Sequence, residues 1–454
     1  MKDQHRQSYP HHARATLVLG LPLIGSHLAQ MSLHVVDTVM MGWYGVTDLA
    51  AMVIATSVFF VVFIFGSGFA NAVMPMVAQS LGADDEAGVR RAARMGLWLS
   101  IGFGLATYPL FWYSEPVLRA LGQSPDVAAL GQDYLRIGGL GMIPALVIMA
   151  IKSYLAALGR TQIVLWVTVA AIPANGLLNY ALIFGAWGAP QMGISGAALA
   201  SVMVQIVSMA VLLAYAGLLP QLRRYRLFQR FWRADWAAMG QVFRLGWPIG
   251  VTLLAESGLF AATAIMMGWI GTKELAAHGI VLEITALAFM VHLGLSNAAT
   301  IRTGHALGAK DARGLRDGAR VVIGLSFGFA LVVICTFLTL PQVLIALFLD
   351  TSAPEAPMIL AFGVTLLAIS ALFQVADAMQ VVALGLLRGI HDTRVPMMAA
   401  AFSYWVIGMP AAYVLAFVLG MGGIGLWLGL TLGLALAAVT LMWRFWAKAP
   451  KLAR

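Results

Sequence analysis

The sequence predicts an all-α integral membrane protein, with twelve transmembrane helices in two six-helix lobes related by a parallel internal repeat. Of its 454 residues, 61% are hydrophobic and 10% are charged, whereas soluble globular domains carry about 25% charged residues. Apolar runs of about 20 residues, long enough to cross a hydrocarbon core, recur along the whole chain. Runs of this length indicate helices, since the strands of a membrane barrel alternate in polarity over about 10 residues.

The first two spans of each half carry the repeat. Residues 19–83 align with residues 245–309 without a gap, and 22 of the 65 positions are identical. The identities form blocks, such as Met40–Trp43 with Met266–Trp269. An apolar composition produces scattered matches by chance but not runs of four in one register, so the chain is a duplication.

The distribution of charge indicates how the chain lies in the membrane. The net charge of +9 would also suit a nucleic-acid-binding protein, but 25 of the 28 Lys and Arg residues lie in or beside the termini and the even-numbered connections. This positive-inside bias predicts a multi-pass protein of a bacterial-type inner (plasma) membrane, with both termini cytoplasmic and no nucleic-acid partner. The predicted spans are 15–41, 48–74, 95–113, 134–152, 162–184, 193–217, 241–269, 276–301, 321–341, 358–386, 395–418 and 424–443.

Six spans in each half is an even number, so both halves enter the membrane from the same side and the repeat is parallel. We therefore expect an N-terminal lobe at residues 1–220, a cytoplasmic linker at residues 221–235 and a C-terminal lobe at residues 236–454. The linker contains the basic cluster Arg223–Arg233, which would lie beside anionic lipid headgroups.

Four acidic residues lie inside the predicted spans, namely Asp37, Glu256, Glu283 and Asp377. A charge near the bilayer centre costs at least about 2.5–3.5 kcal/mol on insertion scales, so each acid needs a cavity, a partner or a proton. No Lys or Arg lies in the middle of a predicted span to pair with them. We therefore expect these acids to bind a proton or a cation.

The acids do not follow the repeat, because Asp37 aligns with Thr263 and Glu256 aligns with Gln30. The two lobes therefore carry different sites. Polar neighbours accompany the acids at helical spacing. In the second lobe these are Gln374 and Gln380, each three residues from Asp377 on one helix face; in the first lobe they are Asn175 and Asn179, four residues apart. The Asn pair would act either as ligands or as packing hydrogen bonds between helices.

No enzyme motif in the sequence convincingly predicts a catalysed reaction. Gly193–Gly196 has the G-x-S-G pattern of an intramembrane serine protease, with His278 or His292 as a conceivable base. Its repeat counterpart, Gly422–Gly425, favours a packing role instead. Neither a metalloprotease motif nor a phosphate-binding loop occurs. We therefore expect no catalytic residue, no cofactor and no enzymatic activity.

The chain resembles the multidrug and toxic compound extrusion (MATE) transporters, and in particular their NorM-like branch. The resemblance extends over essentially the whole sequence, and its most specific part is the last pair of segments. The segments that carry it are Val36–Gly42, Leu49–Ala51, Ala276–Ile280, Leu307–Ala309, Asp377–Val381 and Gly385–Thr393.

The resemblance implies a V-shaped pair of six-helix lobes that exports cationic or amphipathic drugs by alternating access, in exchange for Na⁺ or H⁺. By motif, Glu256 and Asp377 would form the cation site of the second lobe, where Na⁺ is possible. Asp37, Asn175 and Asn179 would form the coupling site of the first lobe. Glu283, Gln374 and Gln380 are candidates for the substrate cavity. Phe373 departs from the pattern, since a Tyr occurs there in some relatives.

Two other functions remain open at this stage. A lipid-linked oligosaccharide flippase of the same superfamily would need a cationic cavity for its diphosphate, whereas the charges in the middle of the predicted spans are all acidic. A cation channel would not show stoichiometric counterflow. For the antiporter, the expected partners are cationic drugs, Na⁺ or H⁺ and membrane lipids, and the expected oligomeric state is a monomer.

Overall fold

The computed structural model describes residues 8–349 and 354–452. Within these residues twelve helices are long and apolar enough to cross a membrane, and no strand occurs. The predicted fold class, an all-α membrane protein of twelve spans, is confirmed. The helices are α1 (Tyr9–Tyr44), α2 (Val46–Gly82), α3 (Glu86–Trp112), α4 (Pro125–Ala157), α5 (Thr161–Phe184), α6 (Ile194–Leu218), α7 (Trp236–Ile270), α8 (Thr272–Gly308), α9 (Ala312–Thr339), α10 (Ala356–Gly389), α11 (Arg394–Val418) and α12 (Gly422–Leu452).

Several helices extend beyond the apolar runs that predicted them. The predicted fourth span ends at Lys152, whereas α4 continues to Ala157, and α10 includes Arg388. Lys152 therefore lies five residues before the end of α4, and Arg388 is the next-to-last residue of α10. A charged residue ends a hydropathy window, but the helical backbone bonds continue past it because they do not involve the side chain.

Matching local geometry recurs in the two halves at the offset of 226 residues. Asp85 precedes α3 and accepts a hydrogen bond from Gly88 N, and Asp311 precedes α9 and accepts one from Gly314 N, both over 2.8 Å. Each aspartate caps the free N–H groups of its helix. The residues before them, Asp84 and Lys310, both adopt a left-handed conformation with φ of 55°.

Glycine allows close helix contacts at the start of the last helix of each half. A Cβ atom on Gly196 would lie 2.4 Å from the carbonyl oxygen of Leu182, and one on Gly425 would lie 2.5 Å from the carbonyl carbon of Leu415. Small residues of this kind let membrane helices approach closely. The packing role expected for Gly193–Gly196 thus has a direct steric basis.

The chain divides into two compact units. One consists of Gly25–Gly250, and the other of Val251–Arg454 with Met1–Ile24. The division falls inside the continuous helices α1 and α7, so each unit includes one helical segment from the other half of the sequence. The expected lobe boundaries at residues 220 and 236 remain a prediction drawn from the repeat.

The segment before α7 packs within the unit of residues 25–250. Trp98 Nε1 donates to the carbonyl of Phe231 over 2.9 Å, and Arg91 Nε donates to Asp235 Oδ2 over 2.5 Å. Both donors lie on α3, so this helix holds the predicted linker through side-chain bonds. The terminal residues 1–7 and 453–454, to which the prediction of cytoplasmic termini applies, lie outside the described residues.

Candidate functional site

The carboxylate of Asp37 is the centre of a polar cluster in the unit of residues 25–250. Its Oδ1 accepts hydrogen bonds from Asn175 Nδ2 over 2.5 Å and from Asn179 Nδ2 over 2.6 Å. Its Oδ2 accepts a longer bond from Ser201 Oγ at 3.4 Å. Helices α1, α5 and α6 therefore meet at one acid. The grouping of Asp37 with Asn175 and Asn179, which the resemblance implied, is present in the structure.

The asparagine side chains retain unused hydrogen-bonding capacity. Asn175 and Asn179 are buried, and the Oδ1 atom of each has no hydrogen-bond partner among the described residues. Asp37 itself is only partly buried. Since a buried carbonyl oxygen without a partner is costly, the cluster has two acceptor atoms available to a proton donor or a small cation.

The second cluster lies in the other unit and contains two acids from different helices. Glu256 of α7 and Asp377 of α10 are 7% and 1% exposed, and each lies within electrostatic range of the other. The Gln380 amide donates to the Glu256 carboxylate, and its Nε2 also donates to Tyr404 Oη over 2.6 Å. The four side chains thus form a linked polar group inside an apolar unit.

Oxygen atoms without partners concentrate in this second cluster. Among the described residues, no hydrogen bond reaches Glu256 Oε1, Asp377 Oδ1, Gln380 Oε1 or either amide atom of Gln374. Carboxylate and amide oxygens are the ligands preferred by hard cations. Two nearby acids that share a buried site also favour a bound proton, because both cannot carry a charge at low cost. The donor set therefore suits Na⁺ or H⁺.

A family model described as MatE matches residues 22–181 and 248–414, which together make up most of the sequence. The chain belongs to the MatE family. Its members are transporters, so this chain is a membrane transporter and not an enzyme. The family assignment agrees with the resemblance seen in the sequence motifs.

Individual relatives match the MatE chain almost from end to end. "Probable multidrug resistance protein NorM" of Rhizobium meliloti (strain 1021) is 47% identical over 442 residues, which are 97% of this chain and 95% of that protein. The protein of the same name in Agrobacterium fabrum (strain C58 / ATCC 33970) is 47% identical over 434 residues, 96% of this chain and 93% of that one. A solved structure of MATE in complex with MaL6 superimposes with a TM-score of 0.88 at 20% identity and covers 97% of both chains. This structural match shows a shared fold.

Aromatic side chains lie beside the acid pair of this MatE chain. Phe373, one turn before Asp377 on α10, is buried against Phe260 and Trp427, with ring centroids 6.0 and 5.4 Å apart. Trp427 Nε1 in turn donates to His278 Nδ1 over 3.1 Å. Phe373 therefore supplies packing where a tyrosine would supply a hydroxyl, and His278 accepts a hydrogen bond from the indole.

The sequence-predicted candidates do not all come together. Gln374 and Gln380 are fully buried on the same helix as Asp377, so they join the acid pair. Glu283 of α8 is exposed, and it has no hydrogen bond or ion pair to any described residue. Its assignment to the substrate cavity stays a prediction.

Sequence reasoning missed three members of these clusters. Ser201 and Tyr404 each lie in an apolar helix, and neither belongs to a spacing pattern that would have indicated a site. Arg388 is buried near the end of α10, and its charge acts on Glu256. Arg388 is the next-to-last residue of α10, so it lies outside the span middles that the prediction concerned, and its charge was the available signal.

Proposed function

We propose that this transporter exports amphipathic, cationic drugs in exchange for Na⁺ or H⁺. Its relatives at 47% identity are named as multidrug resistance proteins, so drug efflux is the function assigned to this chain. The buried pair of Glu256 and Asp377, with unpartnered oxygen atoms, is the observation that carries the coupling proposal.

In the proposed cycle, the acid pair binds the coupling ion from the outer side. Na⁺ would bind to carboxylate oxygens of Glu256 and Asp377 with the amide oxygen of Gln374 as a further ligand, whereas H⁺ would bind to one of the two carboxylates. Either ion neutralises negative charge at a desolvated site, and the ion therefore stabilises the conformation that buries it. Release of the ion to the cytoplasm completes the cycle.

Asp37 serves as the second coupling group in this proposal. Asn175 and Asn179 donate to its carboxylate, and this donation favours the charged acid. A proton on Asp37 would weaken these bonds and change how α1 packs on α5. A drug cation and a proton would therefore compete for one carboxylate, which is the basis of exchange. Glu283, as a proposal, adds negative charge that attracts cations.

The electrochemical gradient of the coupling ion drives this exchange: its concentration gradient drives a one-for-one swap with a monovalent cation, and the membrane potential contributes when the drug is neutral. One elementary charge moving down about 100 mV releases about 2.3 kcal/mol, which supports a roughly fiftyfold gradient of a neutral solute. The coupling ion must enter from the outside, and the basic connections must face the cytoplasm. We therefore assign the protein to the inner (plasma) membrane with both termini cytoplasmic, acting as a monomer.

Ethidium efflux from proteoliposomes under separately imposed Na⁺ and pH gradients tests the proposal. Efflux should follow at least one gradient and should cease when both are absent. Flow of the coupling ion without stoichiometric drug counterflow would indicate a channel instead. Movement of a lipid-linked sugar without any drug transport would favour the flippase.

A further inference from the structure

A cationic side chain lies among hydroxyl groups in the unit of residues 25–250, apart from the Asp37 cluster. Lys152 of α4 donates from Nζ to Ser26 Oγ of α1 at 3.5 Å, and Ser26 Oγ lies 3.3 Å from Thr168 Oγ1 of α5. Ser26 and Thr168 are buried, whereas Lys152 keeps part of its surface accessible. Three helices therefore converge on one ammonium group.

This ammonium group has no counterion in the described part of the chain. No carboxylate there lies within ion-pair distance of Lys152. A charge inside a transmembrane helix is costly unless it meets water or an opposite charge. The surroundings of Lys152 thus favour an anion.

The hydrogen-bond directions leave donors available for that anion. Thr168 Oγ1 donates its single proton to the carbonyl of Val164 over 2.8 Å. Ser26 must then donate to Thr168, and it accepts from Lys152 with a lone pair. Each of the three bonds is donated in the direction away from Lys152, which has three N–H donors and uses one of them among the described residues. The other two N–H groups are free to bind a carboxylate or a sulfonate.

The Lys152 group and the Asp37 cluster lie along the same pair of helices. Ser26 and Asp37 are eleven residues apart on α1, about 16 Å along the axis, and their spacing places them on one face. On α5, Thr168 shares a face in the same way with Asn175 and Asn179. The contacts Ser26–Thr168 and Asp37–Asn175 therefore mark two ends of one α1–α5 interface.

The repeat indicates that the fold does not require a lysine here. The turns after α4 and α10 match, because Gly159 and His391 both adopt left-handed backbones, with φ of 74° and 59°. Each turn also has the same pair of backbone hydrogen bonds. This correspondence places Leu384, a buried apolar residue, opposite Lys152. The charge of Lys152 is thus specific to the first half.

We propose that Lys152, positioned by Ser26 and Thr168, binds the anionic group of amphipathic substrates. A substrate that carries a carboxylate or sulfonate would then gain a contact at Lys152 that a plain cation lacks. This inference rests on the proposed drug export and names a substrate-binding residue for it. It requires no change in the coupling site of the other unit.

Binding of a matched pair of dyes to the purified protein in nanodiscs tests the proposal. Rhodamine B is a zwitterion, and its ethyl ester keeps the cation but lacks the carboxylate. The ratio of their Kd values, zwitterion over ester, should rise about tenfold in Lys152→Gln, because a charge-assisted hydrogen bond is lost. Lys152→Arg should restore the ratio. The control Arg160→Gln, in the turn after α4, should leave it unchanged.

Two outcomes would overturn the subsite. One is an unchanged ratio in Lys152→Gln, or an equal weakening of both dyes, which would indicate a structural role. The other is a change seen only in nanodiscs that contain anionic lipid, which would assign Lys152 to a lipid phosphate. Benzoate added to the wild type gives a measurement independent of folding. It should displace rhodamine B more than its ester, with NaCl at equal ionic strength as the control.

Measurements of export and of binding distinguish an error in the Lys152 subsite from an error in the proposed drug export. A wild-type protein that exports ethidium but shows no change in dye ratio on substitution lacks the subsite only. A wild-type protein that exports neither ethidium nor the ester is not a drug exporter, whatever the ratio. Transport measured beside binding therefore separates the two results.

Discussion

Arg91 of α3 and Asp235, the residue before α7, form an ion pair in which Arg91 Nε donates to Asp235 Oδ2 over 2.5 Å. Asp235 Oδ1 also accepts from Ala238 N over 3.0 Å, so the same carboxylate caps α7 and ties it to α3. The hydrogen bond from Arg91, followed by that from Ala238, lowers the pKa of Asp235 below its ordinary value. One partly buried acid thus both caps α7 and pairs with α3.

The pH dependence of stability follows from this ion pair. Because the folded pKa of Asp235 is lowered, its stabilising contribution is present above the unfolded value of about 3.9 and is lost as the pH falls through the folded value. Asp235→Asn should therefore flatten the loss of thermal stability between about pH 5 and pH 3. Asp235→Ala should lose a further 0.5–2 kcal/mol, roughly, since alanine cannot cap α7. Thermal unfolding across pH, with the exposed Asp126→Asn as control, measures both effects; equal acid sensitivity in wild type and Asp235→Asn would contradict the assignment.

Glu256→Gln and Asp377→Asn should each abolish ion-coupled export. Each substitution removes a charge that the coupling ion must neutralise, while the volume of the side chain is kept. Thermal stability should hold or rise, because a desolvated acid is replaced by a neutral amide. Dye efflux against a gradient and melting temperature are the two measurements. Glu274→Gln, at the partly exposed start of α8, is the matched control. Normal uphill export by either variant would remove that acid from the site.

Asp37→Asn should bind drug with an affinity that no longer depends on pH. The asparagine keeps the shape of the protonated acid but cannot exchange a proton, so pH-driven export should be lost while some binding remains. Drug affinity of wild type and variant from roughly pH 5.5 to 8.5 measures this effect. Ser201→Ala, which removes the 3.4 Å bond, should change the pH profile only slightly. The same pH dependence in wild type and Asp37→Asn would exclude Asp37 as the titrating group.

Gly196→Val should destabilise the protein by about 1–3 kcal/mol, since any side chain there meets the backbone of Leu182. Gly102→Val, on α3 where the space around the glycine is open, is the control and should cost much less. Ser195→Ala should leave drug export intact if Gly193–Gly196 has only a packing role. Unfolding in detergent and dye efflux measure the two effects. A loss of export in well-folded Ser195→Ala would reopen a functional role for that hydroxyl.

The sequence predicted the fold and part of each site for separate physical reasons. Apolar runs determine spans directly, so all twelve helices were predicted. The shared helix face of Asn175 and Asn179 was predictable from their spacing, whereas their grouping with Asp37 was implied only by the family resemblance. Ser201 and Tyr404 were not predictable, because a single hydroxyl on an apolar helix gives no sign of which helix it faces.

Lys152 shows most clearly what a hydropathy pattern cannot predict about the end of a helix. A charge ends the apolar window, so Lys152 was taken as the end of the fourth span, and the spans seemed to contain acids alone. In the structure α4 continues for five residues beyond it, and the ammonium reaches Ser26 on another helix. Lys152 is a positive charge that weakens the sequence-based reason for disfavouring the flippase, and the named relatives support multidrug export independently.

The short turns that Asp85 and Asp311 cap bear on how this chain enters the membrane during synthesis. Only three residues separate α2 from α3, and three separate α8 from α9. Each pair is therefore a helical hairpin whose turn is specified by adjacent residues and needs no distant contact. Such a hairpin can form as soon as its second helix leaves the ribosome. The chain thus carries two hairpins of matching geometry, each complete before the polar cluster of its half has all its members.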